Sequence, residues 1–310
     1  MNSLKRNINL RILETEQPNA ASTGLDLKSS LQIARIINAE DARVASVIKR
    51  CLPQVAQVID WIADSLAKGG RLIYVGTGSS GRIAALDAVE CPPTFDTHPN
   101  KVQFVIAGGA QALGVASEGI EDSSTLGRQQ MVKKKPRKND IVVGVAASGR
   151  TPFTIAAIRY ARSQSAKTVA VVCNRNSPLE KAADIAIVAD VGPEVIAGST
   201  RMKAGTAQKM ILNMLTTGAM TRLGYVYDNL MVNLHLKNKK LTARGINILR
   251  KAAALKHDEA HRLVRSARNS VPVALVMAKT RVTRRHAVQA LEAARGHVRK
   301  AIAIAASQSG

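Results

Sequence analysis

Aromatic side chains make up only 3% of this 310-residue chain, and its 22 acidic residues are outnumbered by 45 Lys and Arg. So few rings leave little stacking surface for bases or sugars. Three cysteines (Cys51, Cys91 and Cys173) give neither an even set for pairing nor a metal-ligand spacing, which points to reduced thiols in a cytoplasm. No apolar run is long enough to span a bilayer, and the start, MNSLKRNINLRILETEQPN, lacks the apolar stretch of a signal peptide. No membrane partner is expected. The hydrophobic fraction of 46% over this length suffices for one large core and a smaller module.

The formal net charge is +23. Residues 237–310 hold 17 Lys/Arg against Asp258, Glu259 and Glu292, a net of +14, and KKKPRK at 133–138 adds five more. Such a field attracts phosphorylated ligands and would hold nucleic acid without sequence preference. The basic residues nevertheless interleave with apolar ones at helical spacing, as over 286–304, with no zinc-finger spacing or aromatic RNA-binding motif beside them. They read as solvated helix faces, and a dedicated nucleic-acid partner is not expected.

The first 30 residues are polar and irregular, and helical spacing follows from about 31 to 66. Short apolar, strand-like runs then alternate with helical segments. The runs lie at 72–75, 102–107, 141–146, 168–173 and 185–188; helices are expected after Gly81, Gly109, Pro152 and Pro178, and a long one over 204–223. This alternation predicts an α/β fold with a parallel sheet covered by helices on both faces. From about Lys239 the pattern is purely helical. There Ala267, Arg268, Val271 and Ala274 match Ala294, Arg295, Val298 and Ala301 at a constant offset, which suggests a duplicated helical hairpin. The expected division is an N-terminal arm and helix (1–50), a catalytic domain (51–235) and a basic helical module (236–310).

Two glutamates, Glu90 and Glu121, lie downstream of the turn GTGSSGR at 76–82. A strand, a Gly/Ser turn and a helix build an anion site, because backbone N–H groups and the positive helix end face the ligand and hydroxyls add donors. Carboxylates beside such a site suggest proton transfer on a phosphorylated molecule. Gly76, Gly78 and Gly81 also satisfy GxGxxG, but 102–107 runs into Gly108 and Gly109 with no carboxylate for a ribose, which argues against a dinucleotide. A second turn, Ser148-Gly149-Arg150-Thr151 before Pro152, repeats the arrangement and adds an arginine. Glu90 precedes Cys91-Pro92-Pro93, which should stop its helix there, and Glu121 has Glu118 and Asp122 as rivals. Cys91 has no histidine near it in sequence to make it a nucleophile. His257 and His261 share a helix face, but Asp258 stands where a metalloprotease motif needs Glu. No metal or cofactor is called for.

These strings resemble a known family. GTGSSGR and AASGRT (146–151) look like the phosphosugar loops of the sugar isomerase (SIS) domain. LDAVECPPTF (86–95), IAGG…SEGIED and PEVIAGSTRMKAGTAQKMILNMLTTGAM (193–220) resemble N-acetylmuramic acid 6-phosphate etherases, as do TEQPN near the start and VYDNLMVNL (226–234). The resemblance implies a SIS-type parallel sheet flanked by helices with a small all-helical C-terminal module. It also implies a lyase that splits off D-lactate and leaves N-acetylglucosamine 6-phosphate in cell-wall recycling. Its catalytic pair falls on Glu90 and Glu121, favouring Glu121 over Glu118, with acid and base interchangeable between them. Thr77, Ser79, Ser80, Ser148, Gly149, Arg150 and Thr151 would bind the phosphosugar, with Ser199 and Lys203 nearby, and a homodimer is implied. Ala88-Val89 and Gly78-Ser79-Ser80 depart mildly from the family pattern, and the basic C-terminal helices depart more. The competing readings are a non-catalytic phosphosugar sensor on the same domain, an aldose–ketose isomerase, and a nucleic-acid binder driven by charge.

Overall fold

The computed structural model describes residues 13–115, 119–234, 236 and 238–307. They form two compact units, one of residues 13–88 with Asn100–Leu215, the other of Val89–Pro99 with residues 216–307. Glu118 and residues 1–12 of the N-terminal arm lie outside the described residues.

In the first unit, single-turn 3₁₀ segments lead into α1 (Ser30–Asp41), α2 (Val44–Lys49) and α3 (Leu52–Ala67). The helical spacing expected over about 31–66 is thus realised as three helices with two short breaks. The second break has a plain cause: Pro53 belongs to the first turn of α3, where its missing N–H costs nothing, whereas inside a longer helix it would have removed a hydrogen bond. The apolar runs become β1 (Leu72–Gly76), β2 (Val102–Ile106), β3 (Ile141–Val145), β4 (Lys167–Val172) and β5 (Ile185–Val188). Helices α4 (Gly78–Phe95), α5 (Ser124–Lys134), α6 (Pro152–Ser163) and α7 (Pro178–Ala182) lie between them, and α8 (Lys203–Arg222) follows.

All five strands are parallel, in the order β2-β1-β3-β4-β5. Every residue of β1 and β3 is buried, so a strand alternating polar and apolar residues would have buried its polar face as well as its apolar one. The order reverses between β1 and β3, which are hydrogen-bonded neighbours with Gly76 opposite Val145. The turns that leave these two strands therefore emerge side by side at the carboxyl edge, where doubly wound sheets bind ligands.

Two expected features are corrected. Pro92 and Pro93 do not end α4 but lie inside it, and the helix runs on to Phe95 with Asp96 N–H bonded to the Pro92 carbonyl at 3.0 Å. A proline fixes a φ compatible with helix, so the turn survives at the cost of the bonds its two missing N–H groups would have made. The helix expected after Gly109 does form, as α5, but it starts only at Ser124. Gly108 and Gly109 both take positive φ, 86° and 67°, and only a short 3₁₀ segment, Gly109–Leu113, forms at that point.

The second unit holds a two-residue hairpin, β6 (Val226–Tyr227) with β7 (Leu230–Met231), and five helices. They are α9 (Lys239–Ala253), α10 (His257–Ser266), α11 (Val271–Thr280), α12 (Arg284–Ala293) and α13 (Val298–Ser307). The suspected duplication is realised in geometry: α12 and α13 repeat α10 and α11 at one constant offset. Ala267 and Ala294, Val271 and Val298, and Ala274 and Ala301 take equivalent buried places in this unit's core. His257 and His261 are exposed. No described helix is long and apolar enough to cross a membrane.

Candidate active site

The first glycine turn is shaped by close backbone approach. A Cβ on Gly81 would come within 2.7 Å of Ile106 Cγ1 and 2.9 Å of the Gly76 carbonyl, so glycine is needed where α4 packs against the end of β1. Thr77 is buried, with its carbonyl accepting the Gly81 N–H at 2.9 Å. Ser79 and Ser80 are half-buried in the first turn of α4, which carries no acidic residue. Arg82, which ends the motif, is engaged by backbone carbonyls. Its guanidinium donates to the carbonyls of Ala112 (2.9 Å) and Val115 (3.1 Å), tethering the segment that leads to Glu121.

The second turn is built similarly. Gly149 takes φ +63°, and a Cβ there would run into the Ser177 side chain. Ser148 Oγ accepts the Arg150 N–H at 3.2 Å, and Thr151 is the N-cap of α6 with Pro152 behind it. Arg150 Nε is buried with no hydrogen-bond partner among the described residues. An orphaned guanidinium nitrogen at the positive end of a helix suits an anionic ligand. No acidic residue lies in the first turn of α6 either.

Glu121 lies in a one-turn 3₁₀ helix, Ile120–Asp122, entered through Gly119 at φ 83°. Its Oε2 accepts the Thr77 hydroxyl at 3.1 Å, so the structure brings one candidate catalytic carboxylate onto the first glycine turn. The neighbouring Asp122 has no such bond among the described residues. Glu90 is exposed on α4 and belongs to the second unit, whereas Glu121 belongs to the first. Cys91 is 2% exposed, in keeping with a packing role, and the three buried thiols form no disulfide with one another. Burial, then the Glu194 carboxylate, push the Cys173 thiol up.

Ser199 is half-buried on the turn before α8, its N–H bonded to the Ile196 carbonyl at 2.9 Å. Lys203 is different. It is 2% exposed, and its ammonium donates to Glu40 Oε2 at 2.5 Å. Sequence reasoning missed Glu40 and the network around it. Asn19 bridges Glu40 (2.9 Å) and the Pro193 carbonyl (3.0 Å), and Gly198 N–H bonds the Thr15 carbonyl (2.9 Å). Glu194, fully buried, accepts the N–H groups of Lys203 (3.0 Å) and Ala204 (2.9 Å). The TEQPN and PEVIAGSTRMKAG strings were therefore legible as unusual text, and the structure shows them clasping each other. Glu40 itself carried no signal.

The parallel sheet that carries these two glycine turns falls within the regions matched in comparisons with known proteins. Residues 54–162 match the glucokinase regulatory protein N-terminal SIS domain and residues 120–218 the SIS domain, so the sheet is that of a SIS-domain protein. The chain is 44% identical to N-acetylmuramic acid 6-phosphate etherase 1 of Bacillus licheniformis over 298 residues, 96% of this chain and 98% of the relative. It is 45% identical to N-acetylmuramic acid 6-phosphate etherase 2 of Vibrio parahaemolyticus, over 95% of this chain and 98% of that one. It belongs to the N-acetylmuramic acid 6-phosphate etherase family.

Proposed function

We propose that Glu121 and Glu90 carry the proton transfers of a carbon–oxygen lyase. As a member of its family, the chain cleaves the D-lactyl ether of N-acetylmuramic acid 6-phosphate, giving N-acetylglucosamine 6-phosphate and D-lactate. The observation that supports this division of roles best is the bond from Thr77 to Glu121, which ties a carboxylate to the phosphate turn.

In the open-chain sugar the C2 proton is acidic because the aldehyde stabilises the carbanion. Glu121 as carboxylate takes that proton; the electron pair forms the C2–C3 double bond and the C3–O bond breaks. Glu90 as carboxylic acid protonates the departing ether oxygen, so D-lactate leaves. Water then adds at C3 and a proton returns to C2, restoring the saturated sugar with a C3 hydroxyl. Two carboxyl groups in opposite protonation states suffice for every transfer. Ser79, Ser80, the first amides of α4, and Ser148, Gly149, Arg150 and Thr151 would hold the phosphate. Ser199 would lie near the sugar, with Lys203 supporting its turn through Glu40. We also take the enzyme to be a cytoplasmic homodimer, which light scattering and fractionation test.

The test is to incubate the protein with N-acetylmuramic acid 6-phosphate and quantify both products. Equal release of D-lactate and N-acetylglucosamine 6-phosphate, lost in Glu90→Gln and Glu121→Gln, supports the assignment. Tight binding without lactate would instead indicate a phosphosugar sensor, and a ketose without lactate an isomerase.

A further inference from the structure

Of the hydroxyls in the GTGSSGR turn, the one on Thr77 is differently employed. Ser79 and Ser80 stand in the first turn of α4, whereas Thr77 precedes the helix and is 8% exposed. Its Oγ1 donates to Glu121 Oε2 at 3.1 Å. A hydroxyl has one proton to give, so while this bond stands Thr77 cannot also donate to a phosphate oxygen. The bond also joins a rigid partner to a less anchored one. Thr77 continues a wholly buried strand and its carbonyl is fixed by Gly81 N–H. Glu121 sits in an exposed one-turn helix between Gly119 and Ser123, the latter capping α5 through Leu126 N–H at 3.2 Å. The same turn reaches that segment a second time, through Arg82 and the carbonyls of Ala112 and Val115.

We infer that Thr77 is a positioning residue for the base: it acts on the reaction through Glu121 and not as a ligand of the phosphate. This rests on Glu121 being the group that removes the C2 proton. A carboxylate on a short exposed turn samples several rotamers. A hydrogen bond to one oxygen from a buried strand end selects one of them and leaves the other oxygen for the proton. The bond is charge-assisted, and losing one of that kind costs about 1.5–3 kcal/mol, or roughly 10- to 150-fold in rate. The whole effect should fall on C2–H cleavage.

The experiment compares Thr77→Val, which keeps the shape and removes the donor, with Thr77→Ser, which keeps the donor. Each is assayed as the full chain for lactate release from N-acetylmuramic acid 6-phosphate and from its C2-deuterated form. The expected result is a Thr77→Val kcat down by about 10-fold or more with KM within about twofold. Its deuterium isotope effect on lactate release should be larger than in wild type, and Thr77→Ser should restore kcat to within about threefold. Calorimetric binding of the product N-acetylglucosamine 6-phosphate should stay within about twofold in Thr77→Val. A raised KM and weakened product binding with kcat and isotope effect unchanged would make Thr77 a phosphate ligand and overturn the inference. Equal losses in both variants, with a lowered melting temperature, would overturn it in favour of packing. Absence of lactate from the wild-type protein would instead defeat the lyase reading on which the inference rests, and the wild-type lane alone reports it.

Discussion

Lys203 and Glu40 stand 163 residues apart in sequence and 2.5 Å apart in space, with Lys203 2% exposed and Glu40 4% exposed. Their pairing explains why a lysine in the string GSTRMKAG need not touch a ligand to matter. It holds α1 to the start of α8, while Asn19 secures the same carboxylate to the Pro193 backbone. Removing the carboxylate should leave a buried ammonium without its counter-charge. Glu40→Gln is expected to destabilise the protein by about 3–5 kcal/mol at pH 7, measured as a fall in the urea midpoint with an unchanged slope.

Acid should erase that difference. Burial alone pushes the Glu40 carboxyl up, but hydrogen bonds from Lys203, Asn19 and Arg43, together with the Lys203 charge, outweigh it and hold the group down to about 2. A lowered carboxyl contributes stability that is fully present above its unfolded value of 4.5 and lost as pH falls through about 2. Urea melts of wild type and Glu40→Gln should therefore converge between pH 4.5 and 2. A gap that persists at the lower end would refute the ion-pair account. Glu194 acts in the opposite sense: burial pushes it up despite its two backbone donors, so its contribution grows on acidification.

Replacing either catalytic candidate should spare folding and abolish chemistry. Glu90→Gln and Glu121→Gln are each expected to lower kcat by about 10²- to 10⁴-fold, with melting temperatures close to wild type because both side chains are exposed. Retention of lactate release in either variant would remove that residue from the proposed pair.

Gly149→Ala should damage fold and binding together. The position requires φ +63°, and a Cβ would strike the Ser177 side chain, which itself caps α7. Left-handed strain alone is worth about 1–2 kcal/mol, before the clash. Calorimetry should show a lowered melting temperature, and phosphosugar titration a weakened affinity.

The duplicated hairpin makes a paired prediction. Arg268 and Arg295 are equivalent in the repeat and both sit in left-handed backbone after a helix, at φ 54° and 52°. Glycine or asparagine is the ordinary residue there. Arg268→Gly and Arg295→Gly should each raise stability by about 0.5–1 kcal/mol. Similar rises in melting temperature would show that the two turns are energetically as well as geometrically alike.

Sequence pattern carried the sheet almost whole, because β1 and β3 are buried on both faces and such strands must read as apolar runs. The glycine turns were legible too, since backbone contacts at Gly81 and a positive φ at Gly149 admit little else. The repeat was legible because Ala267, Val271 and Ala274 are core residues whose size is constrained in both copies. The Pro92-Pro93 pair misled because a proline permits helix even as it removes a bond. Glu40 and Glu194 were invisible for a different reason. Their partners lie across long loops or on the backbone, and no local periodicity marks a carboxylate whose counterpart is a tertiary contact.

Glu194 has a consequence for ligand choice. Helix α8 meets Glu194 at its first amides, and α7 carries Glu180 in its first turn, bonded back to Ser177 N–H. The first turns of α4 and α6 hold no acid at all. The chain thus sets its own carboxylates against the starts of α7 and α8 and leaves the two helix starts beside the point where the strand order reverses without one, as it does those of α1, α3 and α5. If the two turns hold the phosphate as proposed, the carboxylates at α7 and α8 close those two helix starts to it, and a net charge of +23 need not blur its address.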